Sequence, residues 1–255
     1  MHACKLRWVI PIANTTSILK IDTQEYIFNY LFYQDGSIEI EIRLSGILQV
    51  YVARDGEPNP HGTTVAPGVN AHYHQHLFSF RIDPMIDGLG NSLVETDVMP
   101  LPDAPTGSAA NHAGNAFIAQ DTVIRNASGR EWNYATDRKW KIVNAAKTHY
   151  SSGKNVGYTI VTKSGATPFM LRPDSWVAKR AAFATKSIWV CKDVEAQDSG
   201  TLRMWPAGRY VPQSRGSTSD SIGSWVKGGE PVENEDILVF VTIGESLCFF
   251  AGQRY

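Results

Sequence analysis

An all-β fold, a large antiparallel β-sandwich with few or no helices, is predicted by three features of the chain. Runs of β-branched and aromatic residues recur along most of its length, and turn signals separate them. Aromatic residues make up 11% of the composition, with seven tryptophans, a supply suited to the wide inner faces of packed sheets. At 255 residues the chain is long for one domain, yet sandwiches reach that length around a single shared core.

The elements follow in order. Tyr26–Tyr33 and Ile38–Leu44 read as strands joined at Asp35-Gly36, because glycine takes positive φ without steric cost and gives a turn whose twist suits an antiparallel pair. Ile47–Val52 comes next and is closed by Asp55-Gly56, so this part reads as a meander of hairpins. Tyr73–Ile82, Ser92–Met99, Ala116–Arg125, Lys141–Asn144, Val156–Thr162 and Ala184–Val190 are expected to continue the series. Residues 151–155 read either as a hairpin tip or as an arm reaching towards a partner subunit. Pro100–Pro105, Ala207–Ser224 and Gly228–Pro231 are loop material, and Ser175–Ala182 is the one stretch expected to make a helical turn.

The charge balance narrows the function classes. Twenty-four basic and 25 acidic side chains leave a formal net charge of -1, with no basic block to follow a phosphate backbone, so nucleic acid is not an expected partner. No apolar run approaches the roughly 18 residues of a membrane span, and the first twenty residues lack a signal-peptide core, which predicts a soluble, intracellular chain with no recognisable address. Three cysteines, Cys4, Cys191 and Cys248, match no metal or redox spacing and are expected to be small buried apolar groups.

The most specific local signal is His72-Tyr73-His74-Gln75-His76, expected as one extended strand. At a rise of about 3.3 Å per residue the three histidines share a face, with neighbouring Cα atoms roughly 7 Å apart and the outer two about 13 Å apart. Two neighbours can meet on one ion, whereas all three cannot enter one tight site with ligand distances near 2 Å. The plain alternative is an alternation that lines a polar sheet face. An H-x-H pair flanked by Tyr73, Phe78 and Phe80 favours metal binding instead, and neutral imidazoles suit copper, zinc, iron and nickel alike. Gly68, His74 and His76 also reproduce the opening half of the cupin signature. Phe80 and Arg81 stand where its glutamate belongs, so a cupin-like metal oxygenase is a distant alternative.

His74-Gln75-His76-Leu77-Phe78, followed by Ser79-Phe80-Arg81-Ile82-Asp83, Asp87-Gly88 and Asn91-Ser92, resembles the copper-ligand strand of the copper- and quinone-containing primary amine oxidases. The likeness takes in Phe32-Tyr33-Gln34-Asp35-Gly36-Ser37, Gly46-Ile47-Leu48, Trp205-Pro206-Ala207-Gly208-Arg209-Tyr210 and Glu233-Asn234-Glu235-Asp236-Ile237, and its flavour is fungal. The resemblance implies a homodimer with a β-sandwich catalytic domain, copper held by three histidines, and topaquinone made from one of the protein's own tyrosines. It also implies oxidative deamination of primary amines by dioxygen to aldehyde, ammonia and hydrogen peroxide, an oxidoreductase chemistry with a carbonyl electron sink.

Carried over residue by residue, the resemblance places two copper ligands on His74 and His76. The third falls on Leu247, which has no lone pair, and adjacent Cys248 points to the opposite face of an extended segment. The quinone-forming tyrosine falls on Gln24, whose amide cannot be oxidised to a quinone, and Tyr26 is expected to be a packed core aromatic. No residue corresponds to the catalytic aspartate: Asp22 and Asp35 lie too close to Gln24 and read as strand-edge and turn residues. A second metal site for calcium or manganese falls on Asp83 and Asp236, with the carbonyls of Pro84 and Ile237 as further donors. Met85 stands where some relatives have another aspartate.

These departures sit at the two edges of the likeness, which divides the chain into a non-family segment 1–24, a catalytic sandwich 25–244 and a non-family tail 245–255. Such clustering predicts a truncated or misread product that is inactive as written. The competing function class is a non-catalytic metal-binding or dimer-partner protein on the same scaffold.

Overall fold

In the computed structural model the described residues are 11–21, 24–162, 167–194, 203–209, 211, 216 and 218–247. The Asp35-Gly36 reversal forms as its sequence requires. Gly36 takes φ of +83°, the Ser37 N–H donates to Asp35 Oδ1 at 2.9 Å, and the Tyr33 N–H donates to the Ser37 carbonyl at 2.9 Å. That turn joins β2 (Gln24–Tyr33) to β3 (Ile38–Gly46), and β1 (Pro11–Ile21) pairs with the other edge of β2, giving a three-stranded antiparallel sheet. A polar rung crosses it: Thr16 donates to Asn29, and Asn29 donates to Glu41. Tyr26, expected as a core aromatic, is only half-buried in β2.

The hairpin meander does not continue. β4 (Val50–Val52) is shorter than the expected Ile47–Val52 and pairs with β6 (Val69–His72), as does β5 (Gly62–Ala66), in the order β4-β6-β5. Asp55-Gly56 makes its turn, with Gly56 at φ of +71°, but β4 and β5 flank β6 rather than each other. Turn chemistry dictates where a chain reverses and leaves open which edge it then joins.

The chain divides into two compact units, residues 1–74 with 247–255, and residues 75–246. The second is a sandwich of two four-stranded sheets. One has the order β10 (Ser128–Arg130), β13 (Ile188–Lys192), β14 (Ile237–Leu247), β7 (His74–Ile82). The other has β12 (Asn155–Ile160), β11 (Lys139–Thr148), β8 (Ser92–Pro100), β9 (Phe117–Val123). Every ladder with a described register is antiparallel. The buried core includes Leu93, Trp140 and Ile142 from one sheet and, from the other, Ile188 and Val190 on one face and Cys191, Leu238 and Phe240 on the opposite face. Cys191 is the small apolar filler its isolation predicts, and burial pushes its thiol pKa up to about 11. Cys4, Cys248 and Asp22 lie outside the described residues.

Glu95 on β8, 3% exposed, crosses to the other sheet and takes a two-point bond from Arg130 on β10, at 2.8 and 3.1 Å. Arg138 then bonds Asp97 twice, at 2.8 Å each, and reaches Glu95 at 3.3 Å. The Arg138 guanidinium, assisted by the Thr136 hydroxyl, holds the Asp97 carboxyl below its usual range against the opposing effect of burial.

Two local expectations need correction. Ala207–Ser224 was expected as loop, but α2 (Ile222–Trp225) begins inside it. Ser221 and Ser224 form a reciprocal capping box, Ile222 is fully buried, and Trp225 packs on Phe240. Ala184–Val190 was expected as strand, but Ala182–Thr185 is a 3₁₀ turn, because the Phe183 carbonyl accepts from Trp189 Nε1 and Thr242 Oγ1. The helical turn at Ser175–Ala182 forms as α1 (Trp176–Arg180), capped by Ser175, and residues 151–155 span the turn between β11 and β12. No helix among the described residues is long and apolar enough to cross a membrane.

Truncating a fully buried aromatic leaves a cavity that packed sheets cannot close, so Phe240→Ala should cost about 3–5 kcal/mol in urea unfolding. Because its native pKa is depressed, Asp97 contributes stability that is complete above about pH 5 and fades as pH falls through the folded value. The gap in urea midpoint between the natural chain and Asp97→Asn should therefore be full near neutrality and shrink as pH falls below the ordinary carboxylate range; a gap independent of pH would contradict the pairing.

Candidate metal centre

The expected single strand over residues 72–76 breaks at Tyr73. The Tyr73 N–H donates to the His61 carbonyl at 2.9 Å, so His72 ends β6, opposite Gly62, with its ring against Tyr51 at 4.5 Å. β7 begins one residue later and carries His74 and His76 two positions apart, on one face of one strand. His72 is thereby separated from the pair by a strand ending, which strand periodicity could not reveal.

The tautomer of His74 follows from its partner. Its Nδ1 lies 3.0 Å from the His72 carbonyl, which can only accept, so Nδ1 carries a proton and in the neutral ring the lone pair falls on Nε2. The Nε2 atoms of His74 and His76 are both buried from solvent. A backbone carbonyl that fixes one ring nitrogen while the other faces a buried space is the arrangement by which proteins orient metal-binding imidazoles.

β14 lies beside β7 in the sheet, and its Gly244 runs against the backbone of His76 and Leu77. A methyl group on Gly244 would collide with the His76 carbonyl oxygen, so the close approach of the two strands depends on the absence of a side chain there. Leu247 is the last residue of β14, three positions beyond Gly244.

The donor set fits copper at two positions and fails at the third. Two neutral imidazoles are suitable ligands, whereas leucine offers no lone pair. At the position assigned to the quinone precursor, Gln24 opens β2 and its Nε2 donates to the Ile47 carbonyl at 3.3 Å. That amide has no ring to oxidise, so the quinone does not fit the residue at this position.

Asp83 and Asp236, paired by sequence reasoning, are joined by a residue it missed. Asp83, Asp193 and Asp236 each bring one carboxylate oxygen within 4.8 Å of the others. The Asp193 N–H donates to the Asp236 carbonyl at 2.8 Å, immediately after β13 and before β14. Arg81 also faces the group, bonding Asp83 at 3.0 Å and approaching Asp193 at 3.7 Å, so a guanidinium already offsets part of the negative charge. Pro84 is buried, Ile237 is fully buried at the start of β14, and Met85 is exposed to solvent. Asp193 lies far from both partners in sequence and carries no motif; only the register of β13 on β14 brings it in.

Comparison with known proteins converges on one family. The family model for copper amine oxidase, enzyme domain, matches residues 15–246. The chain is similar to the peroxisomal primary amine oxidase of Pichia angusta, 42% identical over 224 residues, covering 86% of this chain and 31% of that protein. It is similar to copper amine oxidase 1 of Schizosaccharomyces pombe, 41% identical over 227 residues, covering 86% and 30%. Among solved structures, a copper-containing benzylamine oxidase from Hansenula polymorpha superposes with a TM-score of 0.83 at 32% identity, covering 93% of this chain and 36% of that one. The chain thus spans about a third of the length of the curated relatives it matches.

A side chain at position 244 should force β14 off β7. Gly244→Val is expected to cost about 1–3 kcal/mol in urea unfolding and to weaken copper uptake together with it. Natural stability and natural uptake in that variant would show that the two strands do not depend on the glycine.

Proposed function

The chain belongs to the copper amine oxidase family, and from that premise we propose that it is a copper-binding part of the family's catalytic sandwich that cannot build its own quinone. The carrying observation is the pairing of two outcomes on one scaffold. β7 holds His74 and His76 with buried Nε2 atoms, while Gln24 stands at the quinone position with its amide bonded to a backbone carbonyl. Copper held by this pair is a two-imidazole site, weaker than a three-histidine site because Leu247 contributes no donor.

For the longer protein to which such a domain belongs, the proposed activity is oxidative deamination of primary amines by dioxygen to aldehyde, ammonia and hydrogen peroxide. Topaquinone supplies the electron sink in that chemistry. A homodimer, an amine substrate and dioxygen as the oxidant belong to the same proposal, as does the division into 1–24, 25–244 and 245–255. Gln24 supplies no phenol and Leu247 no imidazole at the assigned positions, so this polypeptide is proposed to be inactive. The second cation, calcium or manganese, is proposed at Asp83 and Asp236, with the Pro84 and Ile237 carbonyls assisting and Asp193 as an added carboxylate. A non-catalytic metal-binding or dimer-partner role is the same reading with the oxidase activity removed, and the loss of the quinone position favours it for this chain.

The purified chain should take up one copper weakly, give no redox-cycling stain for protein-bound quinone, and produce no amine-dependent peroxide. His74→Ala combined with His76→Ala should abolish uptake, and Leu247→His should strengthen it. A positive quinone stain, or copper uptake indifferent to both histidines, would overturn the reading.

A further inference from the structure

Gln75 sits between the two histidines, so its side chain leaves β7 on the opposite face. On that side its amide is fully engaged. Nε2 donates to the Pro168 carbonyl at 2.9 Å and to the Ser246 hydroxyl at 2.7 Å, and Oε1 accepts from the Met170 N–H at 3.0 Å. The partners lie 93, 171 and 95 residues away in sequence, so none of the three bonds belongs to a local turn. Nearby, the Thr167 hydroxyl donates to the Gly244 carbonyl. The segment 167–170 therefore spans the start of β7 and the end of β14 and ties each to itself through side chains.

We propose that Gln75 is a positioning residue for the histidine pair: its three bonds fix the register and facing of the first turn of β7, and thereby aim the buried Nε2 atoms of His74 and His76 at a common point. The need arises because β7 begins at His74, and strand ends open more readily than strand centres. A slip or rotation by one residue would carry both imidazoles to the other face, since strand side chains alternate. An amide that donates twice and accepts once resists that rotation better than one ladder bond, because all three partners must be given up together. Unlike the Gly244 contact, which sets how near β14 comes, Gln75 sets which way β7 faces. The inference rests on the reading of His74 and His76 as copper ligands.

The test is copper affinity of the full chain, measured by competition with a chelator, together with the electron paramagnetic resonance spectrum of the bound Cu(II). Gln75→Ala is expected to bind one copper about tenfold more weakly, with a broadened or altered spectrum. Gln75→Glu keeps the acceptor for the Met170 N–H and can accept from the Ser246 hydroxyl, so it should recover part of the affinity and the natural spectrum. Ser246→Ala removes one bond of three and should fall between. Natural affinity and spectrum in Gln75→Ala would overturn the proposal, and if that variant does not fold, natural affinity in Ser246→Ala overturns it instead. Failure of the natural chain to bind copper, or undiminished binding after His74→Ala with His76→Ala, refutes the ligand assignment itself and takes this proposal with it.

Discussion

The site depends on a place where two strands come closer than side chains normally permit. At Gly244 the backbone of β14 passes against the His76 carbonyl, and any Cβ would occupy the same space as that oxygen. β14 is held from its other side by β13 and is fully buried from Ile237 to Phe240, which anchors the strand ahead of Gly244. The histidine strand is consequently positioned against a strand anchored in the buried core. The proposed role of the histidine pair needs such backing, because an imidazole misplaced by an ångström loses most of its value as a donor.

The rest of the 75–246 unit accounts for that rigidity. Its two sheets share an apolar core, and they are also joined by Glu95 and Arg130, a charge pair with its carboxylate almost wholly buried. Such a pair contributes little net stability over an apolar replacement, but removing one partner leaves a charge stranded in the core. Its effect is to penalise sliding of one sheet over the other. Trp140, whose indole also reaches Glu95, ties the ion pair into the apolar packing.

What could be read without coordinates follows this physics. Asp35-Gly36 was legible because the chemistry of a two-residue reversal is local, and β8 was legible as a strand-forming run ahead of the proline-rich Pro100–Pro105. The break at Tyr73 was hidden, since one N–H turning to His61 leaves no mark on the alternation of His72, His74 and His76. The short helix at Ile222 was hidden by Gly223 and by the surrounding loop composition, although Ser221 and Ser224 formed a readable cap. Asp193 was invisible for a different reason: its proximity to Asp83 and Asp236 is a product of strand pairing alone, which no single sequence displays. Gln75 was read as the spacer in H-x-H, and its bonds to Pro168, Met170 and Ser246 are equally non-local.

The retained and the substituted positions differ in what the fold asks of them. His74 and His76 lie in a strand pressed against Gly244 and anchored by Gln75, so the backbone there is constrained whether or not a metal is bound. Gln24 opens β2 on a sheet whose strands are at most half-buried apart from Asn29, and its amide is satisfied by the Ile47 carbonyl; the sheet forms with or without a phenol at that place. Leu247 is the final residue of β14, beyond the buried stretch that carries the packing. Substitution at such positions need not disturb the fold, because sites are grafted onto a scaffold whose packing lies elsewhere.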